Sequence, residues 1–65
     1  MAMTLKAARI NANLTQAQVR EATGIHENSL SKYESYEAKV SIKRAIQLAK
    51  LYGCTLDDIK WTNEE

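Results

Sequence analysis

Proline is absent from this sequence of 65 residues, and glycine occurs only at Gly24 and Gly53. Such sparse punctuation argues against a turn-rich sheet and for helices. Cys54 is the single cysteine, which excludes an intrachain disulfide and a thiolate metal site. A small secreted domain usually carries several disulfides, so a reducing, cytoplasmic compartment is expected. No apolar run approaches the roughly 18 residues of a membrane span, and no signal peptide is visible. A length of 65 residues allows one small domain, expected over residues 3–61 with a frayed tail at 62–65. A core this small leaves little room for a catalytic cleft.

The net charge is only +1, which by itself says little about a polyanionic partner. Its distribution says more. Residues 1–50 carry eight Lys or Arg against four acids, whereas residues 51–65 carry Lys60 against four acids. The body is basic and the tail acidic.

What is present reads as an all-α fold, a compact five-helix domain with helices at about 4–12, 16–23, 27–35, 42–52 and 56–60. Thr4 suits an N-cap, and Asn13 suits a left-handed stop. Thr15 with Gln18 three residues on spells a capping box, with Leu14 placed to staple onto Val19. Gly24 ends that second helix. The third starts at His26 or Glu27 and has only Leu30 and Tyr33 as apolar positions, so most of its surface is polar. Ser41 caps the fourth helix, whose Ile42, Ala45, Ile46, Leu48, Ala49 and Tyr52 give the clearest helical period, and Gly53 ends it. Thr55 caps the fifth, with Asp58 at its capping-box position and Leu56 and Ile59 as anchors.

Two short helices joined through a tight Gly-containing turn make a helix-turn-helix. In that unit the first helix crosses the sugar-phosphate backbone and the second lies in the major groove, N-terminal residues at base edges. A second helix that is polar outside and thinly apolar inside fits this use.

The ordered set Leu14-Thr15-Gln16, Gly24-Ile25, Leu30-Ser31-Lys32-Tyr33-Glu34, Leu48-Ala49 and Tyr52-Gly53-Cys54-Thr55-Leu56-Asp57-Asp58-Ile59 resembles the Xre, or Cro/phage-repressor, helix-turn-helix family. The resemblance spans about Leu5 to Ile59. It implies sequence-specific binding of double-stranded DNA by a transcriptional regulator, a repressor of bacterial phage or mobile-element type. By position it assigns His26, Glu27, Asn28, Ser29 and Lys32 to the bases. Asn28 suits adenine and Lys32 guanine, while Glu27 could accept from cytosine N4 or repel phosphates. Thr15, Gln16, Ser35 and Lys39 fall on the DNA backbone, and Gln16 also braces the reading helix. Arg9 and Glu34 match a structural salt bridge between the first and third helices.

Three positions depart from the family pattern. Tyr36 stands where Gly usually ends the reading helix in the left-handed conformation, so a longer or differently turned helix is expected. Arg20 stands where a small residue is usual, with its head in solvent or paired with Glu37. Val40 replaces a frequent Pro.

Other residues have structural readings. Cys54 suits small buried filler, Asp57 and Asp58 suit a helix start, and Tyr33, Leu48 and Tyr52 suit the core. Trp61 either covers the core's edge or is exposed as an anchor for a second subunit. His26 and Cys54 lie too far apart to hold zinc. No cofactor, metal or small-molecule ligand is expected, and nothing resembles an enzyme's catalytic set. The expected partner is an operator in double-stranded DNA, with a homodimer left open. The alternative is a protein-interaction module, antitoxin-like or bound by an anti-repressor.

Overall fold

The computed structural model describes residues 2–63. Its order is β1 (Met3–Thr4), α1 (Leu5–Asn11), α2 (Gln16–Thr23), α3 (Glu27–Glu34), α4 (Ile42–Tyr52), a 3-10 turn (Leu56–Asp58) and β2 (Ile59–Lys60). Among the described residues, no helix is long and apolar enough to cross a membrane.

The helix starts follow local chemistry. The side chains of Thr4, Thr15 and Ser41 accept from the backbone N–H three residues on. At α2 the capping box closes, because Gln18 Oε1 also accepts from the Thr15 N–H at 2.8 Å. The stops are equally local. After α1, α3 and α4, a left-handed residue lets two successive N–H groups turn back to the helix carbonyls, the Schellman arrangement. For α1 these bonds are Asn13 N to Ile10 O and Leu14 N to Arg9 O. For α3 they are Tyr36 N to Tyr33 O and Glu37 N to Lys32 O. For α4 they are Gly53 N to Lys50 O and Cys54 N to Ala49 O. α2 ends more simply, with the N–H of Gly24 (φ 78°) bonded to Arg20 O.

The core gathers one stripe from every helix: Leu5 and Ala8 of α1, Val19 of α2, Leu30 and Tyr33 of α3, and Leu48, Ala49 and Tyr52 of α4. Ile25 plugs the turn between α2 and α3, and Ile59 closes the far end. Leu14, Cys54 and Trp61 pack against this cluster half-buried. Trp61 therefore covers the core's edge, and its indole N–H donates to Leu56 O at 2.8 Å.

Several expectations are corrected. Among the described residues there are four α-helices, not five. The segment expected as a helix over 56–60 makes a single 3-10 turn, because Ile59 must become extended (φ −118°, ψ 135°) to pair with Met3. The two ends of the chain form a short parallel pairing, Met3 with Ile59 and Thr4 with Lys60, which helical periodicity cannot announce. Leu56, expected as an anchor, is exposed. Ile42 and Ile46 share the period of α4 but lie outside its buried stripe. Arg20 pairs with Glu27 rather than Glu37. α3 does not run on past Glu34: Tyr36 adopts the left-handed conformation at φ 62°. Of the tail expected at 62–65, Glu64 and Glu65 lie outside the described residues.

Candidate nucleic-acid interface

α3 is placed by its two buried residues. With Leu30 and Tyr33 turned into the core, Asn28, Ser31, Lys32 and Ser35 come out on the opposite side, all exposed. Their spacing of three and four residues makes one continuous polar stripe along the helix. Tyr33 is further fixed by Arg44 of α4, whose guanidinium donates to the Tyr33 hydroxyl.

The N-terminus of α3 continues this stripe. His26 is the N-cap and its Nδ1 accepts from the Asn28 N–H at 3.2 Å. An accepting Nδ1 places the proton of a neutral imidazole on Nε2. Glu27, the first helical residue, is half-exposed. Ser29 is half-buried beside Leu30 and sits on the stripe's flank.

A charge cluster positions α3 against α1 and α2. Arg9 Nε lies 2.6 Å from Glu34 Oε2, and Arg9 Nη2 donates to Oε1 at 3.3 Å. The remaining guanidinium nitrogen, Nη1, donates to Leu14 O at 2.9 Å. Gln16 Nε2 donates to Glu34 Oε1 at 3.2 Å. The bond to Glu34 holds the Arg9 guanidinium above its ordinary value. The Arg9 and Glu34 side chains are only 11% and 6% exposed. At this burial, removing one partner leaves the other charge unpaired, at a cost of about 3–5 kcal/mol. Arg9 and Glu34 thus form a salt bridge between α1 and α3, and Gln16 bonds to the same carboxylate of α3.

Beside this cluster lies a groove of about 340 Å³ lined by Lys6, Arg9, Gln16, Ser31, Glu34 and Ser35. It joins the start of α2 to the polar stripe of α3. Thr15, exposed, caps α2 at this end. Lys6 and Ser31 were not singled out from the sequence. Their signal was available for Ser31, which falls at the helical spacing between Asn28 and Ser35. Lys6 is brought there only by the docking of α1. Lys39 is not part of this groove. It lies past the end of α3, at a separate hollow with Tyr36, Ala38, Trp61, Thr62 and Asn63.

A family model for helix-turn-helix domains of the Cro/C1 type matches residues 5–59. The chain belongs to the Xre-type helix-turn-helix family. Searches of curated proteins and of solved structures returned no match. The family consists of double-stranded-DNA-binding transcription regulators, typically without enzymatic activity. Within this Xre-type domain, α2 and α3 are the two helices of the motif, and the groove at Gln16 lies where they meet α1.

Proposed function

We propose that this Xre-type domain is a sequence-specific repressor of phage or mobile-element type that reads the major groove of its operator with α3. The observation that carries this reading is the exposed stripe of Asn28, Ser31, Lys32 and Ser35, continuous with a groove bearing Lys6 and Gln16. Such a helix offers donors and acceptors to base edges on one side and is gripped by the core on the other. His26, Glu27, Asn28 and Lys32 face the bases, with Ser29 at the flank. Lys6, Thr15, Gln16 and Ser35 meet phosphates, aided by the partial positive charge of the α2 N-terminus. Lys39, displaced from the groove, reaches a phosphate farther along the strand. Occupancy of a promoter by two copies on a two-fold-related site would block transcription, with half-sites about one helical turn apart.

Selection of binding sites from random duplex DNA, followed by a salt titration on the selected site, tests this. The expected result is a defined half-site and an affinity that falls steeply from low to physiological salt, in proportion to the phosphates contacted. Failure to select any sequence at low salt would sink the proposal and favour the protein-interaction alternative.

A further inference from the structure

Both acids of α3 are held by an arginine from another helix, yet the two pairs are built differently. In the Arg9–Glu34 pair both carboxylate oxygens are occupied and the acid is 6% exposed. In the Arg20–Glu27 pair, Arg20 Nη1 donates to Glu27 Oε1 at 3.0 Å, and the side chains are 54% and 38% exposed. Glu27 Oε2 takes no hydrogen bond among the described residues. The first pair is a brace. The second leaves a carboxylate oxygen available at the tip of the helix that bears the polar stripe.

An unpaired carboxylate at this place would meet the phosphates of a duplex with repulsion. Paired with Arg20, it is electrically compensated, and its rotamer is restrained before contact, which lowers the ordering cost of binding. A carboxylate is acceptor-only. Among base edges in the major groove, the cytosine amino group at N4 offers a donor alone, whereas adenine presents N7 as an acceptor beside its donor. We infer that Arg20 is a positioning residue for sequence selection, holding Glu27 so that Oε2 accepts from a cytosine amino group. This rests on the reading of α3 as the DNA-contacting helix. Because exposed ion pairs contribute little to folding, variants at either position are expected to stay folded, so the effect can be read on DNA alone.

The test is site selection from random duplexes with wild type, R20A, R20K, E27Q and R20A/E27Q, each checked by thermal melting. The expected result is that R20A weakens a cytosine preference at one base pair by on the order of tenfold. R20K restores it in large part. E27Q moves the preference at that same base pair toward adenine, since an amide carries both donor and acceptor. R20A has no further effect in the E27Q background. The inference is overturned if R20A lowers affinity for all sequences alike with a shallower salt dependence, the behaviour of a direct phosphate contact. It is equally overturned if R20A and E27Q act at different base pairs. A wild-type protein that selects no site overturns the DNA reading itself, a result distinct from either of these.

Discussion

The Tyr52 hydroxyl is buried and has no hydrogen-bond partner among the described residues. Burial, followed by the nearby Glu34 charge, pushes its pKa from 10.0 up to about 12. The folded state thus keeps its phenol proton more tightly than the unfolded chain does. The stability this represents is complete below pH 10 and is lost as pH rises from about 10 toward about 12. Tyr52→Phe removes an unsatisfied hydroxyl, so at neutral pH its stability should match wild type or exceed it by up to about 1 kcal/mol. In urea melts across this range, the variant should lose less stability than wild type above pH 10. On the DNA side, Lys32 and Gln16 should separate cleanly. Lys32→Ala should relax preference at one base pair by about 1–3 kcal/mol, whereas Gln16→Ala should weaken all sequences alike. Competition binding with single-base operator variants distinguishes these outcomes. A change of preferred sequence in Gln16→Ala would invert the assignment.

At the scale of the element, α3 shows why local signals carry only so far. Its start and its thin apolar stripe were legible in His26, Glu27, Leu30 and Tyr33. So were the caps at Thr4, Thr15 and Ser41 and the stops at Asn13, Gly24 and Gly53, because each depends on neighbours within a few residues. Its end was not. A left-handed tyrosine costs about 1–2 kcal/mol relative to glycine, and that argued for a different turn. The compensation lies far along the chain: the Tyr36 hydroxyl donates to Lys60 O at 2.8 Å and accepts from Leu5 N at 3.3 Å. The same distance effect hid the partner of Arg20, the place of Lys6 in the groove and the replacement of a fifth helix by a strand pair. Tyr36→Phe keeps the ring and loses both bonds, so it should destabilise the fold by about 1–2 kcal/mol. The urea midpoint should fall with little change in slope. An unchanged midpoint would mean that the hydroxyl does not offset the left-handed cost.

For the whole molecule, small size makes each buried interaction count. Stability for a chain of 65 residues is expected at roughly 3–10 kcal/mol. Glu34→Ala leaves Arg9 11% exposed without its carboxylate, at a cost of about 3–5 kcal/mol. In urea melts followed by far-UV circular dichroism, this variant's unfolding free energy should fall by that amount. Adding the selected duplex should recover part of that loss, because a ligand bound only by the folded state stabilises it. Replacing Arg9 and Glu34 together by Met and Leu should cost less than Glu34→Ala alone, since no charge is then stranded. An unchanged urea midpoint for Glu34→Ala would show that the pair does not bind the helices together.

The parallel pairing of Met3–Thr4 with Ile59–Lys60 also sets how the molecule bears load. Tension applied through the two ends of the chain would draw these strands in opposite directions along their common axis. The pairing would be strained in shear, with its bonds sharing the force, rather than peeled open one at a time. The Tyr36 hydroxyl, bonded to Leu5 N on one side and Lys60 O on the other, sits across that line as a third tie.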